Sequence, residues 1–112
     1  IALLPPQRHI QEGMTMIFVR MHPHPGEMIL AACDEEILGK TFRGGGAKIT
    51  VSQTFYGGDL VTEEVFIERT RSASIMNLVG NAVVDRALAE RIVSPESVIV
   101  IGEVKHAQVV MM

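Results

Sequence analysis

The apolar residues of this chain change their spacing partway along it, from every second position to the spacing of an α-helix. In AKITVSQTF, residues 47–55, apolar and polar side chains alternate, which predicts a strand. In IMNLVGNAVVDRALAERIV, residues 75–93, apolar residues recur three and four positions apart, which predicts the longest helix. That helix is expected to lay one apolar stripe on a sheet: Ile75, Leu78, Val79, Ala82 and Val83.

The other segments add strands and one more helix. The further predicted strands are residues 14–22, 28–34, 98–102 and 106–112. PHPGE forms a turn between the first two, a helical turn follows Asp34, and FRGGGA is a flexible loop. Thr62 is expected to cap a helix whose first turn is acidic. The predicted order is β-β-(short α)-β-α-α-β-β, an α+β fold in which two helices pack on one face of a small, mostly antiparallel sheet.

Length and hydrophobic content together indicate one compact domain. The chain has 112 residues and is 47% hydrophobic, enough for one core and too short for two ordinary domains. Pro5 and Pro6 interrupt the first segment. We therefore expect residues 1–13 to be an extension and residues 14–112 to be the domain. The sequence has no apolar run of membrane-spanning length, so no membrane association is predicted.

Charge and cysteine content exclude several classes of protein. A net charge of −3 and an aromatic content of 4% argue against strong unaided binding to nucleic acid, which relies on cations and stacking rings. A single cysteine excludes an intrachain disulfide and a self-contained zinc ribbon, and it fits a reducing, cytoplasmic setting. No metal-ligand spacing is present, so neither a metal nor a cofactor is predicted.

The stretch AACDEEILGKTFRGGG carries the first candidate site. Cys33 is either a reactive thiol or a buried core residue, and the carboxylates of Asp34, Glu35 and Glu36 favour the buried, poorly reactive alternative. The order of GKTFRGGG is the reverse of a nucleotide-binding loop, in which the glycines precede the lysine. The cations Lys40, Arg43 and Lys48 remain candidates for contact with phosphate or RNA.

Two further places combine polar side chains with glycine. Tyr56 precedes Gly57 and Gly58 in a predicted turn, where it either covers the edge of the core or contributes to binding. Asn77 and Asn81 flank Gly80, and a glycine inside a helix costs about 1 kcal/mol relative to alanine, so a close contact is expected there. The asparagines either bond a loop of the same chain or bind a ligand.

Four segments together resemble an archaeal family known as domain of unknown function 424. They are AACDEEILGKTF, FYGGDLVTEEVF, SIMNLVGNAVVDRAL and IGEVKHAQVV, and the resemblance spans residues 14–112. The matching positions are Cys33, Asp34, Glu35, Leu38, Gly39, Lys40, Phe55, Tyr56, Gly58, Ala73, Asn77, Leu78, Val79, Gly80, His106, Ala107 and Gln108. Lys105 stands where the family has proline.

The resemblance implies an archaeal, cytoplasmic, single-domain protein connected with translation and tRNA modification. We therefore expect a binding or accessory module that has a protein partner and touches RNA only weakly or indirectly. One alternative is a small enzyme, and another is a purely structural subunit. The candidate functional cluster consists of Cys33, Asp34, Glu35, Lys40, Tyr56, Asn77 and His106.

Overall fold

The computed structural model describes residues 14–111, which form a six-stranded sheet, a separate two-stranded hairpin and three α-helices. The predicted extension, residues 1–13, lies outside the described residues. The strands are β1 Met16–His24, β2 Glu27–Asp34, β3 Thr41–Gly44, β4 Ala47–Thr50, β5 Asp59–Thr62, β6 Ile75–Val79, β7 Val98–Ile101 and β8 Val104–Val110. The α-helices are α1 Gln53–Tyr56, α2 Glu63–Thr70 and α3 Asn81–Ala89, and Glu35–Ile37 and Pro95–Ser97 form 3-10 turns.

The large sheet has the strand order β5-β1-β2-β6-β8-β7. Its only parallel pair is β2 with β6, and the other four pairs are antiparallel. This confirms the α+β class and the mostly antiparallel sheet. Among residues 14–111, no helix is long and apolar enough to cross a membrane.

The predicted strand at residues 47–55 is wrong in its length and in its partner. β4 ends at Thr50 and pairs with β3 instead of joining the large sheet, and α1 begins at Gln53. Ser52 stops the strand because its hydroxyl accepts a hydrogen bond from the N–H of Phe55 and caps α1. The predicted flexible loop is also shorter than expected, since β3 runs to Gly44 and only two glycines form the turn.

The predicted helix at residues 75–93 is two elements. Residues 75–79 form β6, which lies between β2 and β8 and is therefore one of the central strands of the sheet. The spacing of its apolar residues is compatible both with a helix and with a strand that is buried on both faces. The pattern alone therefore led to the wrong assignment. Gly80, at a φ of 130°, separates the strand from α3.

The remaining elements agree with the prediction more closely. β1 and β2 form the predicted hairpin, but they run into the expected turn and leave only residues 25 and 26 between them. β7 confirms the predicted strand at residues 98–102, and it is an edge strand on which Ile99 and Val100 are 54% and 62% exposed. Thr62 caps α2 as predicted, because its hydroxyl accepts from the N–H of Val65.

The two faces of the large sheet are covered differently. α2 and α3 pack on one face, as predicted, and we call this the helical face. Its core consists of Ile17, Val19, Leu30, Ala32, Phe66, Met76, Leu78, Val83, Val84, Ala87, Val93 and Ala107. The other face, which we call the hairpin face, is covered in part by α1, the β3-β4 hairpin and the first 3-10 turn. Its buried cluster is Ala31, Cys33, Val51, Tyr56, Val79 and Val104.

Candidate functional site

Three of the predicted site residues meet on the hairpin face. The hydroxyl of Tyr56 donates a hydrogen bond to Asn77 Oδ1 at 2.5 Å, and His106 Nε2 lies 3.2 Å from the same oxygen. Tyr56 belongs to α1, Asn77 to β6 and His106 to β8, so three elements distant in sequence supply the group. We call these three residues the polar cluster.

Burial fixes the protonation of the polar cluster. Desolvation raises the pKa of the Tyr56 phenol above its ordinary value of 10.0, so the hydroxyl keeps its proton and donates. Desolvation lowers the pKa of His106 below 6.5, which keeps the imidazole neutral at pH 7. A neutral His106 that bonds an amide oxygen must carry its proton on Nε2, and its Nδ1 is then an acceptor.

The register of the strands sets the surroundings of the polar cluster. One row across the hairpin face runs from Arg20 through Ala31 and Asn77 to Gln108, since each residue is paired with the next. The neighbouring row runs through four more residues: His22, Ile29, Ile75 and Val110. Neither Ile29 nor Ile75 belongs to a buried cluster, although both lie on central strands. Apart from Ala31, which is fully buried, the residues of these two rows are exposed or half-buried, and we call the two rows the open half of the face.

An aromatic pair borders the open half. The rings of His22 and Phe55 are stacked, with centroids 4.6 Å apart and an interplanar angle of 13°. His22 Nε2 lies 2.8 Å from the carbonyl oxygen of Phe55, so the ring donates to the backbone of α1 and is held in place. His22 is not among the site residues predicted from the sequence. Its alternation with Phe18 and Arg20 along β1 is the signal that could have placed it on this face.

Cys33 lies close to the polar cluster but is fully buried. Desolvation, followed by the charges of Asp34 and Glu36, raises the pKa of its thiol to about 12. A thiolate is therefore disfavoured at neutral pH, and the geometry fits the buried structural residue expected from the sequence.

Asp34 points to the other face of the sheet from Cys33, because successive side chains of a strand alternate. Its carboxylate accepts hydrogen bonds from the N–H groups of Ala82 at 2.9 Å and Val83 at 2.8 Å, which lie in the first turn of α3. Burial nevertheless raises the pKa of Asp34 above 3.8. A Cβ on Gly80 would lie 2.4 Å from Asp34 Cγ, so glycine is required by this junction. Asp34 thus has a structural role, because it connects the end of β2 to the start of α3.

The remaining predicted residues lie on the outside of the molecule. Glu35 is exposed on the first 3-10 turn, and Lys40 is exposed at the start of the hairpin. Arg43 and Lys48 face each other directly across the hairpin, and both are exposed. The structure therefore separates the predicted cluster into the polar cluster, a buried thiol, a structural carboxylate and a basic surface.

The described residues contain no group of three histidine, cysteine, aspartate or glutamate side chains placed to hold a metal ion. Within the same range, each buried side-chain nitrogen and oxygen has a hydrogen-bond partner. The polar cluster itself offers hydrogen bonding and proton transfer by neutral groups.

Comparison with known proteins gives a family and a fold. Residues 22–112 match the family model described as Protein of unknown function (DUF424). The crystal structure of an uncharacterized conserved protein from Methanopyrus kandleri superposes with a TM-score of 0.75 at 20% sequence identity, covering 87% of this chain and 92% of that one. At this identity the likeness shows the fold alone. No curated protein matches the chain.

Proposed function

The chain belongs to the family Protein of unknown function (DUF424), and we propose that it is a cytoplasmic accessory module of translation or tRNA modification that contacts RNA phosphates weakly and acts with a protein partner. One observation carries the RNA part of this proposal. Arg43 and Lys48 are directly opposite each other on the exposed side of the β3-β4 hairpin. Like charges at directly opposed positions destabilise a strand pair, so an anion bound between them offsets a cost that the free protein bears.

The rest of the hairpin supports an anionic ligand. Its other side packs Phe42 and Ile49 toward the buried cluster, which leaves Thr41 and Thr50 beside the two cations on the exposed side. Lys40 adds a third cation next to Thr41. Within the described residues, none of these three cations lies in an ion pair with a carboxylate.

The distribution of acidic groups reconciles this basic surface with a net charge of −3. The two long helices carry five carboxylates on or next to them: Glu63, Glu64, Glu68, Asp85 and Glu90. Glu35 and Glu36 are the acidic residues of the 3-10 turn that precedes the hairpin. A polyanion that approached the exposed side of the hairpin would meet Arg43 and Lys48 and stay clear of the helical face. We expect weak affinity, because few counterions are released.

The protein partner is supported by the β7 edge of the sheet, which lies beside the β3-β4 hairpin. β7 is an edge strand of four apolar residues, and Ile99 and Val100 are more than half exposed. Natural edge strands are normally protected by charge, proline or a covering element. The β3-β4 hairpin contacts β7 but leaves Ile99 and Val100 exposed, and such an apolar edge is typical of a surface that another protein covers.

A salt-titrated binding assay with tRNA tests the RNA part of the proposal. The isolated protein should bind weakly at physiological salt, and Arg43→Gln with Lys48→Gln should reduce the salt slope by about one unit for each phosphate contact removed. Arg71→Gln, which removes an exposed cation at the end of α2, is the matched control and should leave the slope unchanged. An unchanged slope in the hairpin variant would refute the phosphate contact.

A small enzyme is the second candidate, and the polar cluster is the observation that favours it. Neutral His106 offers an unprotonated Nδ1, which is the property of a general base. A metabolite that copurifies with the protein and dissociates from the His106→Gln variant would support this candidate. Recovery of a translation or tRNA-modification protein in a pull-down from native cells would favour the accessory module.

A further inference from the structure

We propose that the open half of the hairpin face is a binding site for a single nucleobase of RNA. This inference rests on the proposed RNA contact and adds a second element to it, a base contact beside the phosphate contact. The site is built from the apolar floor of Ile29 and Ile75, the amides of Asn77 and Gln108, and the stacked pair of His22 and Phe55.

The floor of the site is apolar and incompletely covered. Ile29 and Ile75 are paired neighbours on the two parallel central strands, and both are half-buried. Val110, which is paired with Ile75, is 65% exposed. The α1 helix and the β3-β4 hairpin pack on the other end of this face, over Cys33, Val79 and Val104. A flat apolar surface one or two side chains wide matches the π-face of a single base.

Two amides line one side of this floor, and that of Asn77 is already held in place. Asn77 Oδ1 accepts from both Tyr56 and His106, so the Asn77 amide is held and its Nδ2 is left with two N–H donors. Gln108 is paired with Asn77 across the strands and is exposed. The Gln108 amide presents a donor next to an acceptor, Asn77 adds donors only, and the Watson–Crick edge of a base carries complementary groups.

The aromatic pair supplies a stacking surface at the border of the floor. His22 is fixed both by its ring contact with Phe55 and by its hydrogen bond to the Phe55 backbone. Bases stack on aromatic and histidine rings in proteins that bind single-stranded RNA. Arg20 lies in the same row as Asn77, is exposed, and bonds the Gly57 carbonyl through one guanidinium nitrogen. Its guanidinium group is therefore placed to contact a base that is bound on the floor.

A titration followed by NMR tests the site with ligands that differ only in the base. The four nucleoside 5′-monophosphates are compared with ribose 5-phosphate, and the methyl signals of Ile29 and Ile75 and the amide signals of Asn77 and Gln108 are recorded. Nucleotides should move these signals through the ring current of the base, and ribose 5-phosphate should not. Equal shifts with ribose 5-phosphate, or no shifts with any nucleotide at millimolar concentration, would overturn the proposal.

Variants separate a base contact from a general effect on folding. Gln108→Ala should weaken nucleotide binding about three- to tenfold, the effect of one hydrogen bond, and should leave the fold intact because the residue is exposed. Gln53→Ala removes an exposed glutamine of α1 and is the matched control. Equal effects of the two variants would contradict the assignment of Gln108. Methyl shifts produced only by apolar peptides would instead identify this half of the face as a protein-binding surface.

The proposed phosphate contact and the proposed base contact can be refuted independently of each other. If tRNA binding depends on Arg43 and Lys48 while nucleotides leave Ile29 and Ile75 unaffected, the phosphate contact stands and the base site is wrong. If nucleotides bind at the floor while tRNA binding ignores the hairpin cations, the base site stands and the phosphate contact is wrong.

Discussion

The helical face and the hairpin face of the same sheet are built on different principles. The helical face is closed by two helices over aliphatic residues and Phe66, and its outer surface is joined by ion pairs such as Arg86 with Glu63 at 2.8 Å. The hairpin face is closed over only half its length, and the remainder exposes amides, histidines and isoleucines. The difference indicates that the helical face supplies most of the stability and that the hairpin face leaves side chains uncovered.

Labelling of Cys33 gives the largest expected effect and tests whether the covered half of the hairpin face is as closed as the helical face. A thiol whose pKa is about 12 instead of 9.0 has a thiolate fraction about a thousandfold smaller at neutral pH. We expect the native protein to react at least that much more slowly with a thiol reagent than the protein unfolded in denaturant. Cys33 is the only cysteine, so the signal is unambiguous.

Comparable labelling rates in the native and unfolded protein would show that this half opens readily. They would also return Cys33 to the list of candidate catalytic residues.

Two phenylalanines allow the faces to be compared directly. Phe66 is fully buried on the helical face, and Phe66→Ala should lower the free energy of unfolding by about 3–5 kcal/mol. Phe55 borders the open half and is partly exposed, so Phe55→Ala should cost only about 1 kcal/mol. Urea denaturation measures both values. Equal losses would mean that the hairpin face contributes as much to stability as the helical face.

The sequence predicted the class of fold because strand and helix patterns are strong in most segments. It misplaced Asn77 and Val79 because Met76, Leu78 and Val79 lie on a strand buried on both faces, where apolar residues need not alternate. It joined Cys33 and Asp34 in one site because they are adjacent in the chain. In a strand, adjacent side chains point to opposite faces, so only tertiary structure could separate them.

The sequence predicted the residues of the polar cluster as functional candidates, but it did not predict that they are in contact. Tyr56, Asn77 and His106 each matched a motif of the family, yet nothing local in the sequence brings them together. Their contact depends on the parallel pairing of β2 with β6 and on the return of β8 beside β6. Such pairings join residues far apart in the chain, and periodicity carries no information about which strands become neighbours.

Asp34 joins β2 to α3 on the helical face, and removing its carboxylate tests how much stability this junction contributes. Asp34→Ala leaves the N–H groups of Ala82 and Val83 without an acceptor, and we expect a loss of about 1–2 kcal/mol of stability. Asp34→Asn keeps one acceptor oxygen and should cost less. Asp59→Asn alters only an exposed pair with Arg69 and should change stability by less than about 0.5 kcal/mol. A loss in Asp34→Ala no larger than that of the control would remove Asp34 from this role.

The smallest expected effect is the pH dependence that His106 gives to the stability of the protein. Its pKa is lowered by burial, so between that value and 6.5 the unfolded chain binds a proton that the folded protein does not. Stability therefore rises with pH in this window and falls as the solution is acidified below 6.5. The raised pKa of Asp34 acts with the opposite sign, because its contribution is lost as pH rises through the folded value.

The difference between the protein and its His106→Gln variant isolates the histidine from Asp34. Urea denaturation of both proteins across pH 5 to 7.5 should give a shallower pH dependence for the variant, since glutamine does not titrate. The slope attributable to His106 cannot exceed about 1.4 kcal/mol per pH unit, the value for one proton. A variant as pH-dependent as the parent protein would show that His106 titrates normally in the folded state. The polar cluster would then be solvated, and the open half would extend to the edge of the β3-β4 hairpin.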